Sequence, residues 1–528
     1  MPDVSNFRVR PARFAAGALA GLLAGCTALA VGELTAALVR PEAGPVTVVG
    51  GAAIDLTPAP VKDFAIRAFG EDDKLVLQLG ILLVLALTAV ALGATAVRHP
   101  RTAAFGVLLF GAVGALAALT RPDVRGPTDA LPSLVGALAG IAVLRLLSTR
   151  AARALPPPGS RGAKDGPGRR GFLAVAAATA IAATGTGALA RALASRRGRR
   201  AAASRNAVRL PAAASPAPAI PRTARLAVPG ITPFITPNKD FYRVDTALRV
   251  PKVDVRDWRL RIHGRGVTRA RTHTYADLLA RPLIERDITL TCVSNEVGGP
   301  YAGTARWLGV PLAALLDEAG AVVPSRGGGA DQLVARSVDG MTFGAPVEDV
   351  MDGRDAMLAL GMNGEPLPFT HGFPVRMLVP GLYGYVSACK WITDIELTTF
   401  AAYDPYWVRR NWARRAPIKT QARIDAPRPF ARLDAGTVTV AGVAWAQRRG
   451  VARVEVRVDA GPWQDADLAA EATTDTWRPW TYRWRAVPGG RTLTVRATDG
   501  TGAVQTERRT RTVPDGASGW HHVFTTVS

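Results

Sequence analysis

Long apolar stretches dominate the amino-terminal part of the chain. Five of them approach the length of about 20 residues that a helix needs to cross the hydrocarbon core of a membrane, and several have no polar face. They are Phe14–Val39, Leu75–Val97, Ala103–Leu119, Leu131–Leu147 and Phe172–Leu193. The pattern predicts an all-α membrane domain of about five transmembrane helices over residues 1–197.

The first apolar stretch carries Gly17, Gly21 and Gly25 at intervals of four residues. Such a small-residue face lets helices approach closely in lipid, so we expect it to pack against another helix. The stretches contain no paired histidines, and only His99 lies at an edge of one. This excludes bis-histidine haem and predicts an anchor or docking platform.

Flanking charges predict the orientation of the helices. Arginines precede the first stretch and follow the second, and basic residues follow the fourth, while acidic residues lie between the first two. Positive charge favours the cytoplasmic side. Five crossings of the cytoplasmic (cell) membrane therefore place the chain after residue 195 on the extracytoplasmic side. The arginines that follow the fifth stretch oppose this last crossing, whereas Arg169-Arg170-Gly171-Phe172-Leu173 resembles a twin-arginine export signal.

The rest of the chain is divided by changes of pattern. Residues 198–230 are rich in Ala, Pro and Arg and predict a semi-extended linker. Alternating strands such as Trp258–Ile262 and short helices such as Leu312–Ala319 predict an α+β domain over 231–424. Short strands at regular spacing then predict an all-β sandwich over 425–528.

Charge and cysteine content narrow the function classes. The net charge of +23 comes with arginines clustered between apolar runs, which is typical of membrane-flanking segments and argues against nucleic acid as a partner. Cys26, Cys292 and Cys389 are too few for a disulfide framework, although a Cys292–Cys389 bridge stays open.

Cys292 is the first candidate for chemistry. It ends the strand-like run Ile288–Cys292 and begins a loop that contains glycines. Thiolate is a soft metal ligand, but no Cys or His lies at zinc spacing from it, so the remaining ligands would come from a cofactor. Taken alone, the residue fits a buried core thiol better.

A second group of candidates lies downstream, in the runs Asn363–Arg376 and Val379–Trp391. They bring His371, Arg376 and Lys390 together through turns. Arginine binds phosphate through its bidentate fork and lysine binds it as a point charge, so the group is suited to a phosphate-bearing cofactor. The alternative for each residue singly is an ordinary solvated cation.

Together these segments resemble the sulfite oxidase family of molybdopterin enzymes, including its prokaryotic membrane-anchored branch. The resemblance covers roughly residues 225–528 and lies in the order and spacing of several short motifs. They are Phe234-Ile-Thr-Pro-Asn238, Thr289-Leu-Thr-Cys292, Ala305-Arg-Trp307 followed by Gly309, Met362-Asn-Gly364, His371-Gly-Phe-Pro-Val-Arg376, Lys390-Trp391, Ala441-Gly-Val-Ala-Trp445 and Gly519-Trp-His521.

The resemblance implies a sulfite-oxidase-type molybdopterin domain followed by an immunoglobulin-like domain, which in this family commonly makes a dimer interface and so implies a homodimer. It implies molybdenum-molybdopterin as the cofactor and Cys292 as the catalytic residue that ligates the metal. The implied contacts to the pterin and its phosphate are Tyr242, Asp339, His371, Arg376, Ser387 and Lys390.

The sequence departs from the family at the substrate site. Sulfite oxidases surround their anion with arginines, but this chain has Val244 or Asp245 at one such position and Val297, beside Glu296, at another. Losing two cations and gaining a carboxylate weakens binding of a dianion such as sulfite. Two arginines are candidates to compensate, Arg243 and Arg306.

These features predict an enzyme that transfers an oxygen atom to or from a small substrate, with sulfur compounds as one class. The chain has no haem-binding cysteine motif, so electrons would be exchanged with a separate carrier, a cytochrome or a quinone-linked protein. The alternative is a non-catalytic membrane-anchored binding or receptor protein on the same fold. A transporter is disfavoured because the apolar stretches lack internal acidic or paired polar residues.

Overall fold

The computed structural model describes residues 4–58, 61, 64, 68–69, 73–154 and 167–528. It divides into two compact units, Met1–Arg200 with Ala247–Val250, and Ala201–Thr246 with Pro251–Ser528. Four of the charged residues behind the predicted orientation lie outside the described residues, namely Glu71, Asp72, Arg161 and Lys164.

The first unit is helical. Its helices are α1 (Val4–Val39), α2 (Pro45–Leu56), α3 (Asp73–Ala96), α4 (Pro100–Thr120), α5 (Leu131–Ala154) and α6 (Pro167–Ala207), of which the last continues past Arg200. Among the described residues, five helices are long and apolar enough to cross a membrane, and they coincide with the five predicted stretches. Helix α2 was not predicted; it is apolar, but its 12 residues are too few to span the hydrocarbon core.

The glycine face of α1 packs against α3, as expected from the spacing of four. A Cβ on Gly21 would overlap the carbonyl oxygen of Ala89, and a Cβ on Gly17 would lie 2.7 Å from the carbonyl oxygen of Gly93. In lipid this close approach of two backbones supplies the dispersion contacts that hold helices together. The small residues of both helices therefore set the distance between α1 and α3.

Substituting Gly93 tests this contact against a matched glycine on the same helix. A Cβ on Gly93 would overlap the carbonyl oxygen of Gly17, whereas a Cβ on Gly80 meets nothing within 4 Å. We expect Gly93→Ala to destabilise the purified chain in detergent by about 1–3 kcal/mol, the usual cost of overpacking. Gly80→Ala gains up to about 1 kcal/mol of helix propensity. Thermal unfolding measures both, and equal midpoints for the two variants would contradict the packing.

Helix α6 corrects the predicted start of the linker. The semi-extended segment was expected from residue 198, but α6 continues to Ala207 because alanine and arginine are strong helix formers. The residues that follow are irregular, and Ser215 pairs with Ile284 as an isolated bridge. The domain boundaries themselves stay a prediction.

The second unit begins with an α+β part, as predicted. Its strands are β1 (Arg259–Gly264), β2 (Arg271–Thr274), β3 (Ile284–Thr291), β4 (Ala302–Pro311), β5 (Gln332–Ser337), β6 (Thr342–Pro346), β7 (Met357–Met362), β8 (Glu365–Pro366), β9 (Arg376–Leu378) and β10 (Ile392–Thr398). Its helices are α7 (Tyr275–Leu279), α8 (Leu312–Glu318), α9 (Val347–Met351) and α10 (Gly384–Ser387).

These strands form two sheets. One has the order β2-β1-β10-β5-β6, and the other has the order β3-β4-β7-β8 with β9 paired to β7. The core between them is apolar and includes the fully buried Trp258, Trp307 and Phe373. The second sheet is the important one for the site, because β3 ends next to Cys292 and β9 begins with Arg376.

The carboxyl-terminal part is the predicted β-sandwich. Its strands are β11 (Gln421–Ala426), β12 (Arg432–Leu433), β13 (Gly436–Trp445), β14 (Val451–Val458), β15 (Gln464–Asp465), β16 (Asp467–Leu468), β17 (Arg478–Ala486), β18 (Gly489–Asp499) and β19 (His521–Val527). They form one sheet of order β11-β13-β17-β16 and another of order β12-β19-β18-β14-β15. Buried apolar residues of β13, β17 and β18, among them Val440, Trp480 and Val495, fill the space between the sheets.

Candidate active site

Cys292 lies one residue beyond β3, at the start of a loop closed on itself (residues 292–301, the Cys292 loop). The amide of Cys292 donates to the carbonyl of Tyr301 at 2.9 Å, and the amide of Asn295 donates to the carbonyl of Cys292 at 3.0 Å. The side chain of the buried Asn295 accepts from the amide of Tyr301 at 2.8 Å. These bonds fix where the sulfur lies relative to the strand.

The thiol of Cys292 is buried, with 9% of the residue exposed. Burial raises the pKa of this thiol, while hydrogen bonding from Ser294 and the charge of Lys390 oppose the rise. A thiol of this kind is protonated at neutral pH and binds a metal by releasing its proton. Cys292 and Cys389 are both free thiols, so the bridge that the sequence left open is not formed.

The second set of predicted residues converges as expected. We call His371, Arg376 and Lys390 the basic cluster; all three are buried, at 3%, 4% and 7% exposure. The segment that carries Arg376 lies beside the segment that carries Lys390. The amide of Met377 donates to the carbonyl of Cys389 at 2.9 Å. Gly372, at φ +111°, allows the backbone to pass within contact distance of Lys390, which a side chain would obstruct.

The basic cluster has more positive charge than its surroundings neutralise. Burial, together with repulsion from its two neighbours, lowers the pKa of His371 to about 4. Burial also lowers the pKa of Arg376 to about 10 and that of Lys390 to about 8. At neutral pH the arginine is charged and most of the lysine is charged, whereas the histidine is neutral. A buried charge of this kind is costly until an anion pairs with it.

Two polar atoms of the cluster have no hydrogen-bond partner within the described part of the chain, His371 Nδ1 and Arg376 Nε. His371 Nε2 lies 3.0 Å from the carbonyl of Asn238, so Nε2 carries the proton and Nδ1 is an acceptor. The guanidinium of Arg376 lies over the ring of Trp307, 5.4 Å from its centroid. Buried donors and acceptors without partners indicate the place of a polar ligand.

Asp245 is the carboxylate that balances part of this charge. Its Oδ2 accepts from Lys390 Nζ at 3.3 Å and from Arg243 Nε at 2.9 Å, and its side chain is 5% exposed. Sequence reasoning placed Asp245 only as a departure from the family and did not predict this ion pair. Because Asp245 balances part of its charge, Lys390 attracts a further anion less strongly than an unpaired lysine would.

Tyr242 joins the cysteine to the basic cluster. The pKa of its phenol is raised by burial and by Cys292, while the charge of Arg376 partly lowers it again. The neighbouring Phe241 stacks on Tyr242 with ring centroids 5.1 Å apart and meets the edge of His371 at 5.6 Å. Gly303 of β4 leaves room for the Phe241 ring. Tyr242 therefore interacts electrostatically with both the candidate metal ligand and Arg376, and it contacts His371 through Phe241.

Asp339 and Ser387 lie differently from the other predicted contacts. Asp339 lies in the turn between β5 and β6, where it accepts from the hydroxyl of Ser337. The pKa of Cys389 is raised by burial and, further, by the charge of Asp339. Ser387 is fully buried and its hydroxyl donates within its own segment, 2.9 Å from the carbonyl of Leu382. Their roles as cofactor contacts stay predictions.

The two arginines proposed to compensate for the missing substrate cations are already paired. Arg306 donates to both carboxylate oxygens of Asp287 at 2.8 Å, and Arg243 pairs with Asp245. Val297 is buried, whereas Glu296 is exposed. These contacts argue against compensation by either arginine.

A hydrogen-bond network around Asn363 was not predicted. It holds residues 234–242, which lead to Tyr242 and which we call the amino-terminal wall of the site. The side-chain amide of Asn363 donates to the carbonyl of Thr236 at 2.9 Å and to Asn238 Oδ1 at 2.8 Å. Its oxygen accepts from the amide of Arg306 at 2.9 Å. The motifs around Asn238 and Asn363 were visible in the sequence, but their contact spans more than a hundred residues.

Comparisons with known proteins give two family matches. Residues 247–407 match the oxidoreductase molybdopterin binding domain, and residues 421–505 match a bacterial Ig domain. The first match contains Cys292 and the whole basic cluster. The second covers most of the β-sandwich.

Individual relatives agree with the first match. The chain is 31% identical to mitochondrial sulfite oxidase of Mus musculus over 288 residues, which is 47% of this chain and 52% of that protein. It is 33% identical to inducible nitrate reductase [NADH] 2 of Glycine max, over 34% of this chain and 22% of that protein. The chain thus spans about half the length, or less, of these curated relatives.

Among solved structures, the chain is similar to the sulfane dehydrogenase SoxCD from Paracoccus pantotrophus. The TM-score is 0.49 and the sequence identity 25%, over 58% of this chain and 83% of that chain.

Proposed function

We propose that this chain, which carries a molybdopterin-binding oxidoreductase domain of the sulfite oxidase type, transfers an oxygen atom to or from a small substrate. The cofactor of this domain is molybdenum-molybdopterin. When bound, it supplies the two-electron redox chemistry and carries the transferred oxygen. The protein supplies a ligand, a cradle for the cofactor and a pocket for the substrate.

The surplus positive charge of the basic cluster is the observation that carries the proposal. Arg376 and Lys390 are buried cations whose pKa values are lowered by burial, and Asp245 is the one carboxylate paired with Lys390 among the described residues. A cluster of this kind costs free energy unless it binds an anion. The phosphate of a pterin cofactor is such an anion, so the donor set fits the group.

Within this proposal each residue has a distinct task. Cys292 presents a buried thiolate, which is a soft ligand for the metal. The basic cluster binds the phosphate and pterin, with His371 Nδ1 as an acceptor for a donor group of the pterin. Tyr242, which interacts electrostatically with Cys292 and Arg376, is a further contact to the cofactor. Asp339 and Ser387 belong to the same proposed set of contacts.

The pairing of the nearby arginines bears on the substrate. Arg243 and Arg306 are both paired with carboxylates, Asp245 and Asp287, and Asp245 is shared with Lys390. A site with these charges favours a neutral or singly charged substrate over a dianion, because a buried second charge would lack a partner. Sulfur compounds and oxides are the classes to test first, since the relatives include a sulfite oxidase and a nitrate reductase.

The apolar helices support a location in the cytoplasmic membrane, with the catalytic unit on the extracytoplasmic side. Electrons are then exchanged with a separate carrier, a cytochrome or a quinone-linked protein. A homodimer through the Ig-like domain belongs to the same proposal.

Metal and pterin analysis of the full chain tests the function. After expression in a host that makes molybdopterin, we expect about one molybdenum and one pterin per chain. We also expect turnover with redox dyes on a sulfur or N-oxide substrate panel. Purified chain without molybdenum and pterin would overturn the assignment. Full cofactor content without redox cycling on any dye or substrate would instead favour the alternative, a non-catalytic receptor on the same fold.

A further inference from the structure

The Ig-like part of the chain reaches the loop that carries the candidate metal ligand. Arg423 of β11 donates from Nη1 to the carbonyl of Gly299, at the turn of the Cys292 loop, at 2.8 Å. The two residues are separated by 124 positions in the sequence. This contact joins the β-sandwich directly to the candidate active site.

Arg423 is held in one orientation by all three of its nitrogens. Nε donates to Asp425 Oδ1 at 2.7 Å and Nη2 donates to the hydroxyl of Thr232 at 2.9 Å. Asp425 Oδ2 in turn accepts from the amide of Thr232 at 3.0 Å. The side chain of Arg423 is 9% exposed, so the guanidinium is a fixed donor. Thr232 directly precedes the segment that leads to Tyr242.

His521 forms the other side of this contact. Its Nδ1 accepts from the amide of Ile424 at 3.0 Å, which fixes the ring against Gly298. Gly298 has φ +80°, and a Cβ there would overlap the imidazole of His521. The glycine is therefore required twice, for the turn and for the approach of the ring.

The residues that precede Cys292 are bound by the same domain. The amide of Trp477 donates to the hydroxyl of Thr289 at 2.7 Å, and Gln447 donates to the carbonyl of Thr289 at 3.2 Å. The indole of Trp477 donates to the carbonyl of Phe234 at 3.0 Å. The β-sandwich thus contacts the strand before the cysteine, the loop after it and the amino-terminal wall of the site.

We propose that Arg423 is a positioning residue for the reaction, which sets the place of Cys292 by holding the Cys292 loop against the Ig-like domain. This rests on the proposed function, in which Cys292 ligates molybdenum. The Ig-like domain is then part of the catalytic apparatus as well as a candidate dimer interface. Arg423 touches neither substrate nor cofactor in this role and acts through Gly299.

Arg423→Lys is the main test, because lysine keeps the charge beside Asp425 but cannot make the three directed bonds. Displacing a catalytic group by about 1 Å costs up to about 100-fold in rate. We expect kcat to fall about 10- to 100-fold at nearly unchanged KM, with molybdenum content retained and an altered electron paramagnetic resonance signal of the metal. Arg453→Gln is the matched control, since Arg453 is an exposed arginine of the same domain that pairs with Asp465.

Hydrogen exchange of the full chain gives a second measurement that does not depend on activity. We expect faster exchange in peptides covering residues 292–301 in Arg423→Lys and no change there in Arg453→Gln. Unchanged exchange in Arg423→Lys overturns the positioning role, whether or not the cofactor is present. Faster exchange in a chain that holds no molybdenum leaves the loop contact standing and overturns the proposed function instead. Normal exchange, kcat and spectrum in Arg423→Lys refutes the proposal outright.

Discussion

Replacing Cys292 by serine is expected to lower turnover by more than about 100-fold, which is the upper range seen when groups that merely support a metal ligand are changed. Serine has nearly the same shape, but its oxygen is a hard and weakly acidic ligand where the metal favours a soft thiolate. Cys292 is also buried and its loop is closed by backbone hydrogen bonds, so the serine is expected to stand in the same place as the cysteine.

Turnover with a redox dye is measured per molybdenum bound. The absorption band of the bond between the cysteine sulfur and the metal is recorded on the same samples. Cys26→Ser is the control, because Cys26 is a thiol of helix α1 and no part of the site. The expected result is loss of both turnover and absorption in Cys292→Ser alone. Normal turnover in that variant would remove Cys292 from the mechanism.

Replacing Arg376 by methionine is expected to have the second large effect. It lowers the cofactor content, whereas in chain without cofactor it raises the thermal stability or leaves it unchanged. Methionine keeps the length of the side chain but removes a buried charge whose pKa is lowered by burial. Losing one member of a buried charge pair costs about 2–5 kcal/mol in binding, so we expect molybdenum and pterin content to fall more than about tenfold in Arg376→Met.

In chain prepared without cofactor the same substitution is expected to raise the thermal midpoint or leave it unchanged, because it removes an unpaired charge from the interior. Arg281→Gln is the control for the loss of an arginine, since Arg281 pairs with the half-exposed Glu318 at the surface of the same domain. Cofactor content and thermal unfolding are measured on all three proteins. Full cofactor content in Arg376→Met, or a large loss of stability in its cofactor-free form, would contradict an anion-binding role for Arg376.

Much of the local structure could be predicted from the sequence. The five apolar helices and the glycine contact of α1 depend on length and periodicity, which are local properties. Strand β14 (Val451–Val458) follows from a local pattern too, because Val454, Val456 and Val458 alternate with charged residues. Residues 198–207, which were expected to be semi-extended, are helical, since their Ala- and Arg-rich composition also favours helix.

The candidate site was predictable where its members are close in sequence. His371 and Arg376 are five positions apart and Lys390 follows 14 positions later, so the turns between them were visible as a group. Cys292 was recognisable as a strand-end thiol and was distinguished from a core thiol only by its resemblance to a family.

Charge pairing across the site was decided by the tertiary structure. Asp245 meets Lys390 across 145 positions, and Arg306 turns to Asp287 on the neighbouring strand instead of facing an anion. No periodicity records such pairs, because they depend on which sheets and loops pack together. The candidate residues could therefore be named from the sequence and its resemblance to a family, whereas the charge pairs among them were determined by packing.

The same distinction applies to the loop that holds Cys292. The sequence by itself predicted a glycine-bearing turn after a strand and a separate β-sandwich at the carboxyl end. Only the folded chain brings Arg423 to Gly299 and His521 to Gly298, because a contact between distant segments forms when two cores pack and leaves no local signal. The sequence thus determined that a cysteine stands at a strand end, and the tertiary structure determined what holds it there.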